Sequence, residues 1–226
     1  GADEVVTTQA FAIPAAVTRD IKIGHKNYPA LLYSEEEVSN VAHLFTQQNH
    51  QSGLYLHEMA TVQNFMQQAT DSKYILVAAH ADFQTSRPEL TGIIFSPEDK
   101  TPQQATLETE FGKTYQEHIL YLSDSYHLRL NADLVVLSCC ETGIGKLYSG
   151  EGVLALNRGF LYAGAQNIIY TLFKVYDEES SRLTQILFAY ILAGKPYRQA
   201  LKQAKIDMIK KGCVPIYWSG YVLAGA

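Results

Sequence analysis

Three apolar runs, separated by segments with helical patterning, most constrain what this chain can fold into. They occupy residues 74–79, 133–137 and 168–173. Apart from Asp133 and Thr171, the residues within each run are apolar and follow one another instead of alternating with polar ones, which is typical of strands buried on both faces. Because unbroken apolar strands that alternate with helices require a sheet covered on both sides, the sequence predicts an α/β domain with a mostly parallel sheet.

Helices are predicted where apolar residues recur with a helical period. Ser34 and Glu37 match a capping box, in which both side chains bond free backbone N–H groups, so the first helix is predicted to begin at Ser34. Further helices are predicted at residues 61–69, 152–163, 178–192 and 196–211, and shorter strands at residues 54–57, 92–95, 119–122 and 217–223. Residues 1–30 lack a sustained pattern and are predicted to be an irregular lead-in, and residues 97–113 a long surface loop.

Length and composition fit one globular domain, which we place at residues 31–226. The chain has 226 residues, 47% hydrophobic and 18% charged, which supports a substantial core and argues against disorder. Its net charge of −5 provides no broad basic face, so we expect neither nucleic-acid binding nor attachment to an anionic membrane. No apolar stretch approaches the roughly 20 residues that span a bilayer. Three cysteines, two of them adjacent, and the lack of a signal peptide indicate a cytoplasmic protein.

Two residues suited to nucleophilic chemistry lie where predicted strands end. His80 follows the strand at residues 74–79, and Cys140 closes the stretch that begins at residues 133–137. The carboxyl ends of neighbouring parallel strands lie about 5 Å apart at one edge, so the thiol and the imidazole could meet over one crevice. Such a pair can attack a carbonyl carbon. The alternative, a buried core cysteine and a structural histidine, stays open at this point.

Four segments carry a resemblance to a known family. Residues 138–143 read Ser-Cys-Cys-Glu-Thr-Gly, and the segment 133–165 around them closely resembles the CHAT peptidases of the caspase-like cysteine proteases, whose hallmark is Ser-Ala-Cys-Glu-Thr-Gly. Residues 74–83 resemble the family's strand that ends at the catalytic histidine. Residues 170–180 resemble its Leu-Trp-x-Val-x-Asp stretch, and residues 215–225 match its closing strand.

The resemblance implies a caspase-like three-layer α/β/α sandwich and a cysteine endopeptidase. It implies that Cys140 is the nucleophile, that His80 is the acid and base, and that the backbone N–H groups of Cys140 and Ala81 form the oxyanion hole. Ala81 stands where the family usually has glycine, yet alanine also has an N–H to donate. Phe173 replaces the usual tryptophan, a change expected to alter specificity rather than chemistry. We expect no cofactor and no metal.

The other two cysteines are predicted to be unreactive. Alternation along a strand sends Cys139 and Cys140 to opposite faces, so only one of them can face the crevice. The resemblance selects Cys140, and Cys139 is then a packed core thiol. Cys213 has no histidine near it in the sequence and is interpreted as incidental.

Two acidic residues each allow two interpretations. Asp177 precedes a predicted helix and could cap it. In separase, a relative within the clan, the corresponding stretch lines the pocket for the residue before the cut, so Asp177 could instead select arginine through a bidentate contact. Glu141 could add negative charge beside the nucleophile or bond the backbone of the following loop.

Nucleotide and metal sites fit the sequence poorly. Gly143 and Gly145 follow a strand as in a dinucleotide fingerprint, but Tyr148 stands where the third glycine belongs. His118 and His127 flank Asp124 at a spacing that matches no zinc pattern. Calcium activation occurs in some clan relatives and is left open.

We therefore expect an endopeptidase acting on a protein or peptide substrate, with cleavage after a basic residue implied by Asp177. CHAT domains commonly share a chain with tetratricopeptide (TPR) repeats in bacterial signalling, defence or programmed-death pathways. The resemblance thus implies TPR repeats in a longer chain or a regulatory subunit as partners. The alternative is a catalytically silent caspase-like domain that docks a partner. Retention of both Cys140 and His80 argues against it.

Overall fold

A computed structural model describes most of the chain, namely residues 10–14, 21–23, 26–84, 90–97, 107–108, 114–115, 117–141, 151–173 and 175–225. Within these ranges, the description covers the backbone alone at residues 10–14, 21–22, 107–108, 114–115, 140–141 and 151–155. The predicted loop at residues 97–113 therefore lies largely outside the described residues.

Strands and helices alternate along the described parts of the chain. The strands are β1 (Ala10–Pro14), β2 (Ile21–Ile23), β3 (Lys26–Tyr28), β4 (Ser52–Leu54), β5 (Tyr74–Asp82), β6 (Gly92–Ile94), β7 (Leu107–Glu108), β8 (Thr114–Tyr115), β9 (Ile119–Tyr121), β10 (Leu134–Glu141), β11 (Asn167–Thr171) and β12 (Tyr221–Gly225). The helices are α1 (Ser34–Gln47), α2 (Val62–Ala69), α3 (Leu122–Ser125), α4 (Glu151–Tyr162), α5 (Asp177–Leu192) and α6 (Tyr197–Lys210). Short 3₁₀ turns lie at His57–Met59 and Pro215–Tyr217.

A mixed, mostly parallel sheet forms the middle layer. Its central order is β12-β11-β10-β5-β1-β4, with β6 and β9 added beside the end of β5. The pairs β4–β1, β1–β5, β5–β10 and β10–β11 are parallel, whereas β12 and β6 run antiparallel to their neighbours. The predicted α/β sandwich is therefore confirmed, in a form compatible with the caspase-like fold. None of the helices within the described ranges has the length and apolar character that crossing a bilayer demands.

Each face of the sheet has its own core because successive strand residues point to opposite sides. Ile75 and Val77 of β5 pack with Phe65 of α2 and Phe160 of α4. Leu76 and its neighbours on the other face pack against α1, α5 and α6 through fully buried side chains that include Phe45, Leu187 and Ala204. Burial of each large apolar side chain contributes about 1.5–3 kcal/mol.

The described parts of the first thirty residues include three short strands, where the sequence predicted an irregular lead-in. β1 pairs with both β4 and β5 in the central sheet, and β2 pairs with β3 in a small hairpin. The sequence did not reveal β1 because Pro14 stands at its end and the segment is short. A proline can nevertheless close a strand without disturbing the ladder before it.

The predicted capping box is also wrong. Tyr33 occupies the N-cap position of α1, with no side-chain capping bond, and Ser34 Oγ instead donates to the carbonyl of Leu31. The Glu37 side chain turns into the protein, where only 1% of it is exposed. This difference matters because Glu37 joins a buried polar cluster under the strand ends.

Candidate active site

His80 and Cys140 are direct neighbours at the carboxyl edge of the sheet. β5 and β10 pair in parallel with His80 opposite Cys140, and neighbouring strands lie about 4.8 Å apart. Ala78 and Ser138, two residues earlier on each strand, face the layer that contains α1 and α5. Strand periodicity places positions 80 and 140 on that same face. The side chain of Cys140 itself lies outside the part of the structure that is described.

The imidazole of His80 is held by backbone and by an aromatic ring. Its Nε2 lies 2.7 Å from the carbonyl oxygen of Pro29. Because a carbonyl oxygen only accepts hydrogen bonds, Nε2 carries the hydrogen, and the lone pair of the neutral ring belongs to Nδ1. The ring of Tyr28 lies 5.5 Å from the imidazole, centroid to centroid, and only 1% of His80 is exposed. These contacts fix the tautomer and the orientation of the imidazole.

The segment that carries Pro29 is anchored on both sides. Before it, Lys26 forms an ion pair with Asp82, a residue of β5 with 5% exposure. After it, the backbone N–H of Tyr33 donates to Oδ2 of Asp177 at 2.7 Å. Pro29 is thereby held against His80 by contacts to β5 and to the start of α5.

Asp177 binds backbone from another segment rather than capping its own helix. Tyr176 occupies the N-cap position of α5, so the capping interpretation is wrong. The Asp177 carboxylate accepts the N–H groups of Leu32 and Tyr33. Burial raises the pKa of Asp177 above its usual value, and these two hydrogen bonds oppose that shift. Recognition of a basic substrate residue by Asp177 stays a prediction.

A buried polar cluster lies beneath the end of β10, and the sequence did not reveal it. Ser138 Oγ donates to Oε2 of Glu37 at 3.1 Å and lies 2.7 Å from Ser180 Oγ, which in turn bonds the hydroxyl of Tyr221. Burial raises the pKa of Glu37 to about 8, against the opposing effect of the Ser138 hydrogen bond and of the nearby Thr184 hydroxyl. Glu37 is therefore mainly protonated at neutral pH. The cluster joins α1, β10, α5 and β12.

Ala81 lies inside the sheet. Its register partners are Ile93 on β6 and Glu141 on β10, and its residue exposure is 1%. An oxyanion role requires the Ala81 N–H to point out of this ladder, so that role stays a prediction. The Glu141 side chain lies outside the described part of the chain. Phe173 packs on Gly220, where a Cβ would stand 3.0 Å from its ring.

The surroundings of Cys139 and Cys213 fit structural rather than reactive roles. Cys139 is 9% exposed and packs in the core on the α2 and α4 side, with its Sγ 3.9 Å from the carbonyl of Val77. Its predicted role as a core thiol agrees with this environment. Cys213 is half-buried, and its carbonyl accepts the indole N–H of Trp218.

Asp124 and His127 both contact backbone groups. Asp124 accepts the backbone N–H of Tyr121, and His127 Nδ1 lies 2.9 Å from the carbonyl of Ser123. Across the described ranges, no group of three or more potential ligand side chains is arranged to hold a metal. The glycine-containing loop at residues 142–150 lies outside those ranges.

The comparisons with known proteins identify the family. The CHAT domain model matches residues 4–226, so the chain belongs to the CHAT domain family, which is related to the caspase-like proteases. The chain is also similar to Tetratricopeptide repeat protein 28 of Mus musculus, at 25% identity over 194 residues, or 74% of this chain and 8% of the relative. The human protein of the same name is 32% identical over 113 residues, 49% of this chain and 4% of the relative. The chain thus spans less than a tenth of these curated relatives.

Proposed function

We propose that this CHAT-domain protein is a cysteine endopeptidase that cleaves protein substrates, with Cys140 as nucleophile and His80 as acid and base. The observation that carries the proposal is the register that sets the two residues opposite each other. In-register positions on adjacent strands share one face of the sheet and lie within side-chain reach. Family membership supports the same assignment.

The bond from His80 to Pro29 supports a definite route for the proton. Because Nε2–H is directed at the Pro29 carbonyl, Nδ1 accepts the proton of the Cys140 thiol. The thiolate attacks the scissile carbonyl carbon, the new S–C bond forms, and the carbonyl electron pair moves to oxygen. The N–H groups of Cys140 and Ala81 bind this oxyanion. As it collapses, the C–N bond breaks and the amine leaves with the proton from Nδ1.

The acyl-enzyme is then hydrolysed by the same two residues. His80 takes a proton from water, the resulting hydroxide attacks the thioester carbon, and the S–C bond breaks to release the new carboxyl end. The proton returns to the Cys140 thiolate. No cofactor takes part in these steps.

Asp177 supports a preference for a basic residue before the cut. A carboxylate offers about four lone-pair positions, and the N–H groups of Leu32 and Tyr33 use two of them. The remaining positions accept a guanidinium through charge-assisted hydrogen bonds.

We further propose that the domain acts together with TPR repeats, either in the same chain or in a regulatory subunit. The two relatives are named as tetratricopeptide repeat proteins, which supports this arrangement. A cytoplasmic bacterial signalling or defence pathway is the setting that we propose for the peptidase.

A catalytically silent docking domain is the second candidate. The burial of His80 favours it, because only 1% of the residue is exposed beneath Tyr28 and the Pro29 carbonyl. Catalysis requires a substrate to reach the imidazole, whereas docking does not.

Covalent labelling separates the two candidates. The protein is incubated with a peptide acyloxymethyl ketone that carries arginine next to the reactive carbon, and mass spectrometry locates the adduct. We expect the adduct on Cys140, and we expect a proteome-derived peptide library to be cleaved. Cys140→Ala should lower turnover by more than about a thousandfold.

Cys213→Ala is the matched control, since Cys213 is a half-buried thiol away from His80 in the sequence. It should keep both labelling and turnover. An adduct on Cys213 alone, or turnover retained by Cys140→Ala, would remove Cys140 from the reaction. A folded wild-type protein with neither adduct nor cleavage would establish the silent domain instead.

A further inference from the structure

A groove of about 990 Å³ runs between α6 and the edge strand β12. Its lining includes Leu201 on the helix side and Leu223 on the strand side. Tyr74, at the amino end of β5, also lines the groove, but His80 lies six residues further along that strand, about 20 Å away toward its opposite end. The groove is therefore distinct from the proposed catalytic edge.

The charges that line this groove are all positive. Lys195, Arg198, Lys202 and Lys205 contribute to the lining, which contains no aspartate or glutamate. None of the four forms an ion pair with a carboxylate among the residues that the structure describes. This concentration contrasts with the chain's net charge of −5. The groove consequently favours a negatively charged ligand.

The cations form a row rather than a cluster. Arg198, Lys202 and Lys205 follow at steps of four and three residues, so they share one side of α6 over about 10 Å. Lys205 is half-buried, and its ammonium donates to the carbonyls of Tyr221 at 2.6 Å and Ser219 at 3.4 Å. It joins the helix to the start of the edge strand. A linear row favours an extended ligand over a compact anion.

β12 offers a second recognition element. Among the described strands it pairs with β11 alone, so its other edge is a template for a further strand. An extended peptide can add to such an edge, with alternate side chains in pockets on either side. Carboxylates two residues apart in an extended chain are about 6.6 Å apart, a spacing that suits the row of cations.

We propose that this groove docks an extended acidic segment of a partner protein, in which carboxylate and apolar side chains alternate. The carboxylates bind the row formed by Arg198, Lys202 and Lys205. The apolar side chains pack on Leu201 and Leu223. The site is independent of Cys140 and serves to recruit a partner.

Fluorescence anisotropy with a defined peptide tests the proposal. The probe is fluorescein-labelled Glu-Val-Glu-Val-Glu-Val-Glu, and its control is Val-Val-Val-Glu-Glu-Glu-Glu, which has the same composition and charge. We expect the alternating peptide to bind more tightly. The double variant Arg198→Glu/Lys202→Glu should weaken its binding by at least about tenfold.

Lys210→Glu/Lys211→Glu is the matched control variant. It makes the same change in charge at exposed positions at or just after the end of α6, outside the groove lining. Its affinity for the alternating peptide should stay within about twofold of wild type. Thermal unfolding of both variants checks that each remains folded.

Three results would overturn the docking site. Equal losses of peptide affinity in the two double variants would show that binding depends on net charge and not on the position of the cations. Equal affinities for the two peptides would rule out recognition of an extended ligand with alternating side chains. If inorganic tripolyphosphate displaces the probe and binds more tightly than the peptide does, the groove is a site for small anions instead. Cys140→Ala should bind the probe like wild type, so failure of the peptidase proposal would leave this result unchanged.

Discussion

The buried carboxyl group of Glu37 makes the stability of this protein depend on pH. Its pKa is raised from 4.5 to about 8. Between these values the folded state binds more protons than the unfolded state, so stability falls as pH rises and levels off above about pH 8. At about 1.4 kcal/mol per pH unit, the full loss is about 5 kcal/mol. This is a large fraction of a typical folding free energy of roughly 5–15 kcal/mol.

Glu37→Gln isolates this contribution because glutamine has nearly the same size and does not ionise. Urea unfolding, followed through the fluorescence of the single tryptophan Trp218, gives the free energy of unfolding at each pH. We expect the wild type to lose about 4 kcal/mol relative to Glu37→Gln between about pH 5 and about pH 9. The variant should therefore become the more stable protein at the alkaline end if its amide preserves the contact with Ser138.

Glu36→Gln is the matched control for this measurement. Glu36 is the preceding residue of α1 and is exposed, so its substitution should leave the pH dependence of the wild type unchanged. If Glu37→Gln retained the same pH dependence as the wild type and Glu36→Gln, the carboxyl of Glu37 would be ionised or solvated in the folded state. The reasoning from burial would then be refuted.

Two further substitutions test the candidate specificity residue and the backbone. Asp177→Asn should lower the ratio of cleavage after arginine to cleavage after a neutral residue by at least about tenfold, and an unchanged ratio in a peptide library would contradict the pocket role. Gly164→Ala should lower the free energy of unfolding by more than about 2 kcal/mol, because φ is +114° and the new Cβ would lie 2.3 Å from the Leu130 carbonyl oxygen. Gly194→Ala, at φ +81° with open space, should cost only about 1 kcal/mol, so equal losses in urea unfolding would disprove the steric argument.

The apolar runs predicted the central sheet because burial on both faces leaves a direct trace in the sequence. β5 contains the run at residues 74–79, β10 begins one residue inside the run at residues 133–137, and both strands continue for several residues beyond their runs. The polar carboxyl ends of these two strands were harder to predict as strand, because strand structure there depends on pairing with the neighbouring strand and not on hydrophobicity. Position 140 belongs to β10 through its register with His80.

Glu37 shows why local signals can mislead. A serine followed by a glutamate three residues later fits a helix cap, and that pattern carries no information about what lies beneath the helix. The packing of α1 against the sheet instead places Glu37 next to Ser138, which is 101 residues away in the chain. A serine at the end of an apolar strand was the available signal that a buried polar partner was needed.

Pro29 could not be identified as a site residue from any pattern, because it acts through its backbone carbonyl. Its contact with His80 spans 51 residues, and Pro29 follows directly after β3, whose residues Lys26 and Tyr28 contact Asp82 and His80 of β5. The same short segment is held at Tyr33 by Asp177. The proposed specificity residue and the proposed base therefore share a structural element. We therefore expect a basic substrate group bound at the Asp177 carboxylate to lie next to the segment that orients the imidazole, which would couple substrate recognition to proton transfer across residues 29–33.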